Sequence, residues 1–136
     1  MIRFTVQGRP VPKARPVIPR KGKPFTRKST LDYEKKVRQA YLDSNSQAYL
    51  EGQALTADIR YYFKIPKNTS RKDRLALLDK PWYTKKVDLD NLAKSVLDGL
   101  NTVAFSDDSQ IVCLYLTKVY DTKGLGERVE VLIGEV

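Results

Sequence analysis

From Leu55 to Ile65 apolar and polar residues alternate without a break: Leu55, Ala57, Ile59, Tyr61, Phe63 and Ile65 against Thr56, Asp58, Arg60, Tyr62 and Lys64. A period of two over this length is that of a strand with one buried and one wet face. Such a sheet needs a second layer on its dry face, which helices supply most simply. Tyr61 and Tyr62 fall on opposite faces, so a plain sheet accounts for both; stacking on bases is the alternative.

The other segments fit around this strand. Ile2, Phe4 and Val6 share one face of a short strand over 2–6. Residues 8–28 then form a basic, proline-rich arm in which Pro10, Pro12, Pro16, Pro19 and Pro24 forbid a regular helix and fix an extended course. Ser29 and Asp32 have capping-box spacing, and Tyr33, Val37, Ala40 and Tyr41 recur at helical spacing, which predicts a helix over about 30–44. The polar residues 43–47 and Gly52 mark its end. Residues 66–86 are a long basic loop in which Ser70 and Asp73 repeat the capping spacing ahead of a short helix ending before Pro81. Trp82 and Tyr83 are read as anchors of this loop in the core, or else as a wedge against an unusual nucleic acid shape.

Beyond residue 110, Ile111–Leu116 is apolar on both faces. It reads as a central strand covered on both sides, or as a strand with one face at a subunit interface. Cys113 within it is read as a small buried hydrophobe. After a turn over 121–126, residues 128–136 alternate again, and the last two strands are expected to form a hairpin. The expectation is one small α+β domain over residues 1–136, a mixed β-sheet with helices packed on it, in the order β-α-β-(basic loop, short helix)-α-β-β.

Composition narrows the function. The formal net charge is +9, unevenly spread: residues 1–31 hold nine Lys/Arg and no acid, residues 64–86 eight against two, and residues 87–136 four against nine. Two basic segments beside an acidic part suit a polyanion that brings metal counterions. Phosphate binding is assigned to Lys13, Arg15, Arg20, Arg27 and Lys28 in the arm and to Arg71, Lys72, Lys85 and Lys86 in the loop; a merely solvated basic surface is the bland alternative. The chain has no histidine, which excludes Ser-His-Asp hydrolysis, histidine-base nucleases and the usual zinc hydrolase ligands. No apolar run approaches a membrane span, no signal peptide is evident, and the lone cysteine fits a reducing compartment.

The chemistry concentrates in DLDNLAKSVLDGLNTVAFSDD, residues 88–108. Leu89, Leu92, Ala93, Val96, Leu97 and Leu100 give a helical apolar stripe; Asp90, Lys94 and Asp98 share the opposite face. Asp88 and Asp90 stand at its start and Asp107 and Asp108 beyond its end, so a chain that folds back after Leu100 gathers three or four carboxylates and the Lys94 amine. The bland reading makes Asp88 an N-cap, Asp90 a first-turn acid, Lys94 an i,i+4 partner and Asp107-Asp108 a turn. The sharper one has a hard cation, Mg²⁺, on one or two carboxylates, with Lys94 protonated and acting on the phosphate electrostatically.

These residues resemble a known family. D-x-D-N-L-x-K at Asp88, Asp90, Asn91, Leu92 and Lys94, then Leu97-Asp98-Gly99-Leu100 and Asp107-Asp108-Ser109-Gln110, is similar to the RusA family of Holliday junction resolvases, its phage and prophage members in particular. GRPVPKARP, KKVDLDN, and Lys118 followed by Tyr120 extend the likeness over nearly the whole chain. Where some relatives have Pro before the first Asp, this chain has Val87. The resemblance implies a homodimeric, Mg²⁺-dependent endonuclease (Mn²⁺ as substitute) that nicks opposing strands of a four-way DNA junction in recombination and repair, in the cytoplasm of a bacterial or phage-infected cell. It implies Asp88, Asp90 and Asp108 as catalytic carboxylates and Lys94 as the essential lysine. Asp107, adjacent, joins the metal ligands, and Lys118 the DNA contacts. Three readings compete: a nuclease of different branched-DNA specificity, a noncatalytic nucleic-acid-binding module, and a nucleotide phosphohydrolase, which would need a compact pocket.

Overall fold

A computed structural model of the chain describes residues 1–44 and 48–136. The order is β1 (Ile2–Gln7), α1 (Lys28–Ser44), β2 (Leu55–Phe63), α2 (Arg71–Asp79), α3 (Leu89–Leu100), a 3₁₀ turn (Asp108–Gln110), β3 (Ile111–Tyr120) and β4 (Arg128–Glu135). The four strands form one sheet in the order β1-β4-β2-β3. β4 runs antiparallel to β1 and β2, while β2 and β3 are parallel, so the sheet is mixed as expected. The expected loop over 43–47 falls in part on residues 45–47, which lie outside the described residues. Among the described residues no helix is long and apolar enough to cross a membrane.

Alternation in the sequence becomes a one-sided core. Ile2, Phe4 and Val6 of β1, Leu55 to Phe63 at every second position of β2, and Val129, Val131 and Ile133 of β4 are all buried. Over them lie Tyr33, Val37 and Tyr41 of α1 and Leu92, Val96, Leu97 and Leu100 of α3. Tyr61 is in this core, while Tyr62, on the other face, carries the Arg128 guanidinium 3.7 Å above its ring centre. Ile65 lies beyond the end of β2.

Helices α1 and α3 meet at Gly99. A Cβ placed there would lie 2.9 Å from the Glu34 carbonyl oxygen and 3.0 Å from Val37 Cβ. Only a residue without a side chain allows that approach, and α3 is thereby held against the sheet. Gly99→Ala is expected to cost about 1–2 kcal/mol in urea unfolding, overpacking outweighing the roughly 1 kcal/mol that alanine returns in helix propensity.

Five expectations require correction. β3 is an edge strand with mostly exposed residues, not a central one, and Cys113 is exposed, not buried. Apolar residues on both faces mimic a doubly covered strand; here they sit at the sheet margin. β3 and β4 do not form a hairpin, because β2 lies between them. Helix α1 begins at Lys28, so Ser29 is inside it and caps nothing; the first turn is closed by the Thr30 and Leu31 amides donating to the Arg27 carbonyl. Trp82 is 57% exposed, leaving Tyr83 alone as the anchor, stacked on Phe63 with ring centres 3.9 Å apart. The second capping signal holds: Ser70 accepts from the Asp73 amide at the start of α2, although α2 buries no residue. The arm doubles back through Gly22, at φ +105°, so that Val17 and Phe25 bridge in antiparallel fashion.

The turn before β4 is closed by a buried ion pair. Asp121 accepts from the Gly126 amide at 2.8 Å and from Arg128 Nη1 at 3.2 Å, and Arg128 also donates to the Gly126 carbonyl at 2.9 Å. Burial pushes the Asp121 carboxyl up, but the Gly126 amide and the Arg128 guanidinium outweigh it, and the net displacement is downward.

Candidate active site

The apolar stripe of α3 fixes which residues face outward. With Leu92, Val96, Leu97 and Leu100 turned to the core, Asp90, Asn91 and Lys94 are exposed and Asp98 half-buried. Asp88 occupies the N-cap position, yet its side chain makes no capping hydrogen bond. Among the described residues the Asp90 carboxylate likewise has no hydrogen-bond partner. Both carboxylates therefore point into solvent at the positive end of a helix, which stabilises their charge. Asp88 is thus an N-cap by position and backbone conformation, without the side-chain hydrogen bond of one.

The backbone entering α3 is held from two sides. Lys118 Nζ, rising from β3, donates to the Val87 carbonyl at 2.8 Å and to the Lys85 carbonyl at 3.3 Å. On the other side the arm is bound to the helix: the Lys13 amide donates to the Asn91 carbonyl at 2.8 Å, and Ser95 Oγ to the Val11 carbonyl at 2.6 Å. Lys118, which the resemblance implies as a DNA contact, is in this structure bonded to the backbone just ahead of Asp88.

After Leu100 the chain does fold back. A tight turn, with Thr102 at φ 70° and its amide on the Phe105 carbonyl, leads to the 3₁₀ turn. Asp107 caps that turn in a reciprocal box with Gln110, whose buried side-chain amide also donates to the Leu50 and Gln53 carbonyls. Hydrogen bonds from Ser109 hold the Asp107 carboxyl below its usual range. Asp107 is therefore occupied locally, and Asp108 is the one that returns to α3.

A string of charges results: Glu34 to Lys13 at 2.6 Å, Lys13 to Asp98 at 2.9 Å, Asp98 to Lys94 at 3.3 Å, and Lys94 to Asp108 at 3.5 Å. Asp98 first and Asp108 second push the Lys94 amine up, so it carries its proton at any ordinary pH. Partial burial pulls Lys13 down, but Glu34 and Asp98 more than offset it and the net shift is upward. Lys13, read from sequence as a phosphate ligand, is instead a strut between α1 and α3.

The expected gathering of three or four carboxylates is not formed in that shape. Among the described residues no three Asp, Glu or Cys side chains converge closely enough to hold an ion between them. Like charges repel, and Lys94 satisfies Asp98 and Asp108 while Asp88 and Asp90 stay in solvent. The donor set nevertheless fits a hard cation: oxygen ligands without protein partners, and Mg²⁺ asks for only one or two carboxylates beside water and substrate phosphate.

Arg15, Arg20, Arg27, Lys28, Arg71, Lys72, Lys85 and Lys86 are exposed, and among the described residues none forms an ion pair. Glu34 and Gln110 are structural members of the site that sequence reasoning missed. Gln110 had a signal, the Asp107-x-x-Gln110 capping spacing; Glu34 had none, because its partner lies 21 residues away.

Fold and site together define a small α+β domain that presents carboxylates and a protonated lysine beside basic segments. The profile of the family described as Endodeoxyribonuclease RusA matches residues 7–134. The chain is 33% identical over 141 residues to "Uncharacterized protein YqaN" of Bacillus subtilis (strain 168), covering 99% of this chain and 96% of that protein. It is 46% identical over 56 residues, 40% of each chain, to "Crossover junction endodeoxyribonuclease rusA" of Lactococcus phage r1t. The chain belongs to the endodeoxyribonuclease RusA family.

Proposed function

We propose that the protein is a structure-selective endodeoxyribonuclease that resolves four-way DNA junctions, acting as a homodimer that places paired nicks, in the cytoplasm of a bacterial or phage-infected cell. The observation that carries this reading is the return of Asp108 to Lys94 across the turn, beside two carboxylates left without protein partners. A divalent ion, Mg²⁺ or Mn²⁺, held by Asp88, Asp90 and Asp108 would lower the pKa of an attacking water and offset charge on the phosphodiester. Lys94, kept protonated, stabilises the charge that builds on the phosphoryl oxygens. The exposed lysines and arginines of the arm and loop bind backbone phosphates, which fixes orientation without reading sequence.

Lys94→Met is expected to lower the single-turnover cleavage rate about 10²-fold, the scale of losing one preorganised charge donor, with junction affinity little changed. Lys94→Arg should recover part of that loss.

The reaction itself is tested by offering a mobile four-way junction, a flap, linear duplex and single strand, each with Mg²⁺, with Mn²⁺ and with chelator. Paired nicks confined to the junction and dependent on metal are the expected result. Cutting of the flap in preference to the junction would move the specificity to another branched DNA. Two local features favour a noncatalytic binding module: Asp107 is a cap and Lys94–Asp98 an ordinary i,i+4 pair. Tight junction binding with no cleavage under either metal would establish that reading instead.

A further inference from the structure

The charges behind Lys94 are arranged so that one lysine fixes a carboxylate and that carboxylate holds the other lysine. Asp98 carries Lys13 on Oδ2 at 2.9 Å and Lys94 on Oδ1 at 3.3 Å. Lys13 is held elsewhere too: its amine donates to Glu34 at 2.6 Å, and its backbone amide to the Asn91 carbonyl in the first turn of α3. The side chains of Glu34, Lys13 and Asp98 are 18%, 24% and 16% exposed, against 55% for Lys94. The inner part of the string is packed, and its Lys94 end stands in solvent.

Glu34 reaches this place because α1 and α3 touch. Gly99, the neighbour of Asp98, admits the Glu34 carbonyl to within 2.9 Å of where a Cβ would stand. The contact that seats the two helices therefore also brings an acid of α1 beside Lys13.

An i,i+4 pair on an exposed helix face holds its partners weakly, and a lysine N-terminal to the acid is the poorer orientation. Alone, Asp98 would be free to turn and Lys94 with it. Fixing Oδ2 on Lys13 fixes the direction of Oδ1. Among the described residues Lys94 has one further acidic partner, Asp108 at 3.5 Å. A divalent ion on Asp108 would compete for that carboxylate, which leaves Asp98 to hold the ammonium.

We infer that Glu34, Lys13 and Asp98 position Lys94, so that its ammonium keeps its place when Asp108 is engaged by a metal ion. The inference rests on the resolvase reading for what Lys94 does, and on the ion-pair geometry for what holds it. It also separates Lys13 from the phosphate ligands, since its amine would have to leave two acids to reach DNA.

Lys13→Met and Asp98→Asn are each expected to lower the single-turnover rate on the order of 10-fold, with junction affinity in the absence of metal within a factor of about two of wild type. The loss is smaller than that of Lys94→Met, because a side chain acting through Lys94 costs no more than Lys94 itself. Lys13→Arg, whose guanidinium can span the same two acids, should recover most of the rate. In a Lys94→Met background the two substitutions should change the rate by less than about twofold. Equal losses with and without Lys94 would make the string a fold stabiliser only, and weakened junction binding in Lys13→Met would return that residue to the phosphate contacts; either result overturns the assignment. Should Lys13→Met fail to fold, Glu34→Gln carries the same comparison.

A second measurement needs no cleavage. In DNA-free protein saturated with Mg²⁺, the NMR signal of the Lys94 ammonium, identified by its absence from Lys94→Met, is expected to persist in wild type, where a held ammonium exchanges its protons slowly, and to disappear in Asp98→Asn. A signal lost from wild type on adding Mg²⁺, or one that survives Asp98→Asn, also overturns the assignment. If the signal behaves as expected and the wild-type chain cuts no DNA, the resolvase reading falls and the positioning of Lys94 stands.

Discussion

Asp90→Asn is expected to lower junction cleavage on the order of 10³-fold or more, while the affinity for the junction, measured in the absence of metal, stays within a factor of two or so of wild type. The size follows from the role: a ligand that helps seat a divalent ion supports several kcal/mol of transition-state stabilisation, and each 1.36 kcal/mol is about a tenfold change in rate. The specificity of the effect follows from the surroundings. Asp90 is exposed in the first turn of α3 and, among the described residues, its carboxylate is tied to nothing, so the amide disturbs no contact that holds the fold. A variant that binds as before and no longer cuts separates the site from the basic surface. A variant that cuts at the wild-type rate removes Asp90 from the chemistry, and one that loses binding as well places it on the DNA-contacting surface. Asp107→Asn is the internal comparison. That carboxylate caps the 3₁₀ turn, so its loss should act through the position of Asp108 and be smaller.

The largest effect on stability is expected from Arg128→Met. Arg128 and Asp121 have side chains only 5% and 6% exposed, and removal of one partner leaves the other charge buried without compensation, at a cost of about 3–5 kcal/mol. For a chain of this size that corresponds to a fall in Tm of roughly 10–20 °C. The stack on Tyr62 is lost with it. The pH dependence gives an independent check. The Asp121 carboxyl is displaced downward in the folded chain from its ordinary 3.8, so its contribution is present above about pH 4 and is lost as pH falls through the folded value. The deficit of Arg128→Met should therefore be full at neutral pH and shrink below pH 4, where protonation relieves the stranded carboxylate. Denaturant titrations at the two pH values decide it. A double variant with Asp121→Leu, which removes both charges, should recover much of the loss.

What could be read in advance followed from local periodicity. The alternation at Leu55–Phe63 and the stripe from Leu89 to Leu100 each state which face is dry, and both lie in the sheet and helix as expected. The outward triad Asp90, Lys94, Asp98 came from the same stripe. Partners distant in the chain were not readable. Nothing near Lys13 announces that its amine closes onto Glu34 and Asp98, and a basic residue in a basic arm is indistinguishable from a phosphate ligand until the packing is known. The hydrogen bond of Lys118 was unreadable for the same reason, its partner being a backbone segment 31 residues earlier. β3 was misjudged for a different reason. Apolarity on both faces does not tell a strand inside the sheet from one at its edge, and the sheet order leaves Val112 and Tyr115 at the margin. The hairpin assumed between β3 and β4 failed because strand adjacency in sequence does not prevent β2 from being inserted between them.

The attachment of the arm to α3 bears on how the protein is dissected. Val11 and Lys13 reach Ser95, Asn91 and Asp98 by two short hydrogen bonds and an ion pair, and these sit on the same helix that carries Asp90 and Lys94. Deleting the arm would thus strip α3 of its brace as well as removing positive charge, and a loss of cleavage would confound grip with posture. Charge reversal at Arg15, Arg20 and Arg27, outboard of those bonds, leaves the brace intact and reports on grip alone.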